Sequence, residues 1–256
     1  MINLIRMDIY RMRKNKAFWI CLILAMISAF VQTPFAWLMS WLGSLITEEP
    51  FAFENTALLS QIIGKPFPMF NAVLVMLSAC SFFYADIANG YIKNIAGQMP
   101  KRGYTILSKF YAIIPYNLIF MLAAVICNIA GTMLFQKIVA DEAVPGQIGN
   151  FILKFLLMQS MCCILLLATA ALRSKSLGSV LSVLLGTGIL FLAYLGIDSG
   201  LIRLFKLENF SISDYMPDQL MQSRSPEPMT AILSALVTTA IFLLLSIHIF
   251  DRKDVK

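Results

Sequence analysis

The sequence predicts an all-α membrane protein, a single bundle of six transmembrane helices spanning residues 1–256, and three observations carry that prediction. First, 59% of the residues are hydrophobic and only 13% are charged, with a mean hydropathy of +0.78. A soluble domain usually carries about 25% charged residues. Second, apolar runs of the length that crosses a hydrocarbon core, about 20 residues, recur along the chain. Third, the charges are sorted by side. Both termini, the loop at 86–109 and the turn at 173–176 hold fourteen of the 20 Lys and Arg residues but only Asp8, Asp86, Asp251 and Asp254 of the acids. The positive-inside rule therefore places both ends in the cytoplasm, and an even number of spans fits. The net charge of +6 follows this topology, so nucleic acid is not the expected partner.

The elements follow in order. Residues 2–16 put Ile2, Ile5, Ile9 and Met12 on one helical stripe with Arg6, Arg11, Arg13 and Lys14 mostly off it. That pattern is an amphipathic helix in the membrane interface, its basic side toward anionic headgroups of the lipid bilayer. The apolar run after it is too long for a cleaved signal peptide and lacks a small-residue cleavage site, so it reads as an anchor that stays. The first span covers about 17–43, with Pro34 as an expected kink and Trp37 and Trp41 at the outer interface. A polar segment with Glu48, Glu49 and Glu54 leads to the second span, about 67–87, whose inner end carries an Asp86 expected to be solvated. The third span, about 110–135, contains Pro115 and a small-residue stripe of Ala123, Cys127 and Gly131. The fourth covers about 151–172 and the fifth about 177–197, where Gly178, Ser182 and Gly186 repeat the stripe. Such stripes let helices approach closely, and bundle packing is the expected use. Residues 198–228 are read as short helices capping the outer face, and 229–250 as the last span.

Chemistry is sparse. The chain has no G-x-x-x-x-G-K-[ST] phosphate loop, no G-x-S-x-G, no H-E-x-x-H and no paired carboxylates within a span. Its five cysteines fall in apolar runs, where they serve as small packing residues rather than as a disulfide framework or a zinc site. His248, near the inner end of the last span, reads as an interfacial or packed side chain. The sequence is thus not that of an enzyme by itself. Lys154 lies about one turn inside the fourth span. An intramembrane charge is a functional candidate, and a lysine so near the boundary also snorkels to water. Asn71, Asn117, Asn128 and Gln159 either line a path or hydrogen-bond between helices.

The informative stretch is 88–110, ANGYIKNIAGQMPKRGYTILSKF. It is a polar, basic interruption between two apolar runs. Asn89-Gly90 opens it, an amphipathic segment follows to Gly97, and Pro100-Lys101-Arg102-Gly103 breaks the backbone before Lys109. Tyr91, Ile92 and Ile95 are available for burial. A plain turn would need none of this, so a docking segment at the membrane surface is expected.

That stretch resembles the cytoplasmic coupling region of type-2 ABC transporter permeases, the group that includes lantibiotic and bacitracin-type immunity and multidrug exporters. The matching residues are Asn89, Gly90, Lys93, Asn94, Ile95, Pro100, Arg102 and Lys109. Residues 7–20, MDIYRMRKNKAFWI, are similar to the family's basic entry helix, and FDRKDVK at 250–256 to its short tail. The resemblance implies a bacterial plasma-membrane permease whose Asn89–Gln98 coupling helix, with Arg102, docks a separate ABC ATPase present in two copies. ATP and Mg would be bound by that ATPase and no cofactor by this chain. A second permease, identical or homologous, would complete the pathway. It further implies export of an antimicrobial peptide or other amphiphilic compound, with drug or sodium export as the nearest alternative. From the residues alone, a gradient-driven transporter and a non-transporting scaffold or sensor stay open. The first would show ionisable groups at the midplane and inverted repeats, and the second gives no reason for a structured loop at 88–110.

Overall fold

The computed structural model describes residues 2–47, 53–64, 69–90, 103–205, 211–223 and 226–252. Helix α1 (Ile2–Lys14) and the long α2 (Lys16–Thr47) are followed by strand β1 (Thr56–Leu58), α3 (Leu59–Gly64) and α4 (Met69–Ala88). Then come α5 (Gly103–Met133), strand β2 (Lys137–Val139), α6 (Val144–Leu172), α7 (Lys175–Thr187) and α8 (Phe191–Phe205). A 3-10 turn (Ser213–Tyr215), α9 (Pro217–Gln222) and α10 (Pro228–Arg252) complete the order. Among the described residues, α2, α4, α5, α6 and α10 are long and apolar enough to cross a membrane, and α7 with residues 191–200 of α8 is a sixth candidate. This is an all-α, multi-pass membrane protein.

The core explains which helices are central. α4 and α6 bury residues on several sides, including Val75, Met76, Phe83, Leu157, Met158 and Leu165. α2 and α10 pack by one stripe and leave residues such as Ile20, Ile23, Leu236 and Leu244 exposed, the arrangement of helices whose outer faces meet hydrocarbon. α10 packs on α6, α2 on α5, and α7 on α4. The two small-residue stripes sit at these contacts. A Cβ on Gly131 would strike the Phe30 backbone of α2, and one on Gly186 would strike the Val73 backbone of α4. Gly178 lies against the Cys80 thiol, and the Ser182 hydroxyl donates to the Met76 carbonyl at 3.2 Å.

Several boundaries move. The third span begins at Gly103 rather than 110, and the fourth at Val144 rather than 151, with Pro145 in its first turn, where a missing N–H costs nothing. The fifth candidate span, expected over 177–197, is not one straight helix. It breaks after Thr187 and the chain turns by 83° into α8. The cause is Gly188, which adopts a left-handed φ of 68°, donates its N–H to the Leu185 carbonyl, and has its own carbonyl taken by the Gln219 amide at 2.9 Å. Glycine takes this conformation without steric penalty and commonly ends helices. The apolar run continues through the break, so periodicity alone does not register it. Nor does the sequence reading anticipate β1 and β2, which pair in parallel from Thr56↔Lys137 to Leu58↔Val139 and tie together the two loops at the end of the bundle opposite the termini.

The close approach at Gly131 gives a direct test. Gly131→Leu should lower stability by about 1–3 kcal/mol, the usual cost of overpacking. Gly43→Leu, on the same bundle but with nothing near its Cβ position, should be near neutral. Thermal unfolding in detergent distinguishes them, and equal midpoints for the two variants would contradict the packing described.

Candidate functional site

The described residues that flank 91–102, Gly90 and Gly103, lie at the end of the bundle that carries α1 and the last turn of α10. Tyr91, Ile92, Lys93, Asn94, Ile95 and Arg102 lie outside the described residues, as does Pro100. Asn89 and Gly90 are described and close α4. The Asn89 N–H donates to the Ala85 carbonyl at 3.0 Å and the Gly90 N–H to the Ile87 carbonyl at 3.3 Å. Gly90 has a left-handed φ of 63° with open space around its Cβ position. It thus serves as the glycine that ends a helix and redirects the chain. On the other side, the first N–H of α5, at Gly103, donates to the Asp251 carboxylate of α10 at 2.7 Å. A carboxylate there satisfies an orphan amide and complements the positive end of the helix. Gly103 has no room for a side chain, because a Cβ would meet Ile247 and Asp251.

Both roots of the segment are also tied to α1 by a buried charge cluster. Asp86, near the end of α4, pairs with Lys109 of α5 at 2.7 Å through one oxygen and with Arg11 of α1 at 3.0 Å through the other. Arg11 also approaches Asp8 at 3.8 Å. Asp8 accepts the Ser108 hydroxyl of α5, and Lys109 lies 4.6 Å from the Phe82 ring centroid. Asp8, Asp86, Ser108 and Lys109 are all buried. Asp86 is therefore not solvated, as its place at a span end suggests. It is 3% exposed, with Lys109 of α5 and Arg11 of α1 on its two oxygens. An ion taken out of water costs several kcal/mol unless it is paired and hydrogen-bonded, and here two cations answer two anions. Burial raises the Asp8 carboxyl above its ordinary value, opposed mainly by Lys109 and the Ser108 hydrogen bond.

The face that α1 buries also differs from the expected stripe. Leu4, Asp8 and Met12 point inward, while Ile2 and Ile9 are exposed. The packed face shares Met12 with the apolar stripe but turns away from Ile2 and Ile9. Sequence periodicity identifies the stripe but not the packed face, because an aspartate lies at the centre of that face.

The other candidates separate. The Asn117 amide donates to the Gln159 side-chain oxygen at 2.9 Å, and the Gln159 amide to the Phe110 carbonyl at 3.3 Å, joining α5 and α6 midway along the bundle. Asn71 accepts the Ser28 hydroxyl of α2. Asn128 borders a recess of about 200 Å³ at the far end, with Gln32, Thr33, Gln61, Thr132 and Gln136. The four thus do not form one continuous line. Lys154 is buried and donates to the Gly64 carbonyl at 3.0 Å, so it does not snorkel. It holds the last carbonyl of α3, whose start is held by Asp141 accepting the Ser60 N–H at 3.1 Å. The cations and acids buried at the ends of spans are thereby fasteners between elements.

The chain matches no protein-family model and no curated protein.

The cluster predicts a specific double-mutant pattern. Asp86→Asn or Lys109→Met alone strands a buried charge and should cost about 3–5 kcal/mol. The double variant should cost clearly less than the sum of the two. Chemical unfolding in detergent measures this, and strict additivity would show that the pair is not coupled.

Proposed function

We propose that this chain is the membrane subunit of an ATP-driven ABC exporter, built to borrow its ATPase. The observation that carries the reading is the bracing of residues 91–102. A stretch whose sequence reads as amphipathic joins two helices whose ends are locked to α1 by Asp86, Lys109 and Arg11 and to α10 by Asp251. A loop that only reverses direction needs no such anchorage. A loop that receives a mechanical load does, because movement at the segment is then passed to several helices together.

In this reading both termini lie in the cytoplasm of a bacterial cell, and two ATPase subunits carry the ATP and Mg. Each ATPase grips one 89–98 helix through Asn89, Gly90, Tyr91, Ile92, Lys93, Asn94 and Ile95, with Arg102 beside it. Two permeases, this chain and an identical or homologous second copy, form the pathway between them. ATP closure biases a two-state arrangement that the substrate biases from the other side. The substrate class favoured is an amphiphilic compound such as an antimicrobial peptide, moved out of the membrane or cell for self-protection. A drug or sodium ion is the alternative within the same class. The Asp86, Lys109 and Arg11 charges sit at the ends of their elements and are paired with one another, an arrangement that favours this reading over ion-gradient drive.

Co-purification in detergent with any ABC ATPase encoded beside this chain tests the proposal. Gly90→Pro removes the Gly90 N–H bond and the positive φ together, and Lys93→Glu reverses the charge of the segment. Wild type should retain a stoichiometric ATPase, and the double variant should lose it while staying folded. An ATPase that never co-purifies, or that binds the variant equally well, would contradict the proposal.

A further inference from the structure

At the far end of the bundle α9 packs against α6 and α7, and a partly open cavity of about 240 Å³ lies between it and α4, α6 and α7. Met69 and Ala72 of α4, Met161 of α6, and Asp218, Met221 and Gln222 of α9 border it. Asp218 is 1% exposed. Its two carboxylate oxygens accept separate hydrogen bonds, from the Tyr194 hydroxyl at 3.1 Å and from the Gln219 amide at 2.9 Å. Donors on both oxygens are the surroundings of an ionised carboxylate, which only accepts. Among the described residues no Lys or Arg forms an ion pair with it. Burial raises the Asp218 carboxyl above its ordinary value, against the pull of those hydrogen bonds. The result is an acid fixed in position beside a cavity, with no cationic side chain paired to it among the described residues.

We propose that this cavity binds an alkylammonium group, with the Asp218 carboxylate as its counter-charge and the three methionines as its walls. The lining selects the class. Ca²⁺ takes six to eight oxygens and Mg²⁺ a near-ideal octahedron, whereas only Asp218 and Gln222 offer side-chain oxygen here. Methionine thioethers are apolar, polarizable and adaptable, and suit a cation clothed in methyl or methylene groups. The volume lies below the roughly 300–1,000 Å³ of a drug-sized pocket, so the cavity takes a head group rather than a whole amphiphile. Met69, about half exposed, gives the approach from outside. Because α9 caps both the cavity and Gly188 through Gln219, an occupant also steadies the bend between α7 and α8. None of this requires an ATPase, so it stands or falls separately from the exporter reading.

The test is a tetramethylammonium titration of protein carrying [¹³C-methyl]methionine in phosphatidylglycerol nanodiscs, with signals assigned by single Met→Leu variants. The Met69, Met161 and Met221 signals should shift saturably. Tert-butanol, a neutral compound of similar shape, and sodium chloride should not reproduce the shift. Asp218→Asn should weaken binding at least tenfold. If that variant does not fold, Ala72→Leu, which narrows the cavity and keeps the carboxylate, must weaken binding likewise. Equal shifts with tert-butanol, equal affinity in the variant, or no saturable shift would each overturn the proposal. Phosphatidylcholine discs separate the sources of the cation. Signals already shifted there before titration identify a membrane head group as the occupant, and signals that still titrate identify a soluble cation.

Discussion

The pairing of Asp86 with Lys109 and Arg11 is the constraint on which the termini-bearing end of this bundle depends. Three helices that are remote in sequence, α1, α4 and α5, meet at one carboxylate. None of the three charges is tolerable alone at that depth, since breaking a buried pair leaves an uncompensated ion. The cost of separation therefore enforces the geometry. α1 must lie across the base of α4 and α5, and the ends of the two spans must stay together. Asp251 extends the same logic to α10 by capping the first turn of α5. The segment 91–102 is thus rooted in a platform made from four helices.

The opposite end is built on different principles. There β1 and β2 pair, Asp141 and Lys154 hold α3 at its two ends, and a helix of 13 residues, α7, stops at Gly188 well short of the lengths of α5 and α6. A helix rises about 1.5 Å per residue, so α7 leaves a recess above itself and α4. α9 packs beside that recess against α6 and α7. Within the stretch from α8 to α9, Asp198 accepts from the Ser211 hydroxyl and the Ile212 N–H. One end is therefore locked by ion pairs and the other by strand pairing, hydrogen bonds and packing.

Much of this was legible in the sequence, and what was not has physical reasons. Helix existence and the spacing of Gly131, Gly178 and Gly186 follow from apolar length and small-residue periodicity, which are local properties. The break at Gly188 was hidden because its surroundings stay apolar on both sides, and a single glycine is common within membrane helices. The pairing of Asp86 escapes a sequence reading for a more instructive reason. Charge counting treats the few acids on the basic side as background, yet Asp8, Asp86 and Asp251 each bind a partner from another element. Their scarcity on that side was the available signal. The pairing itself required the fold, because residues 8, 86 and 109 come together only when α1 lies across the other two helices. The candidate docking segment was legible as a pattern from Asn89 to Arg102, while its anchorage was not.

The most direct measurement is hydrogen–deuterium exchange of the chain in lipid nanodiscs, comparing wild type with Asp86→Leu. If the charge cluster makes α1, α4 and α5 one platform, peptides covering 2–14 and 103–109 should lose protection together in the variant, while peptides in α3 and β2 keep theirs. Loosening of the α5 peptide with α1 unchanged would contradict the account, because it would mean that α1 is held by its apolar contacts and not by the shared carboxylate.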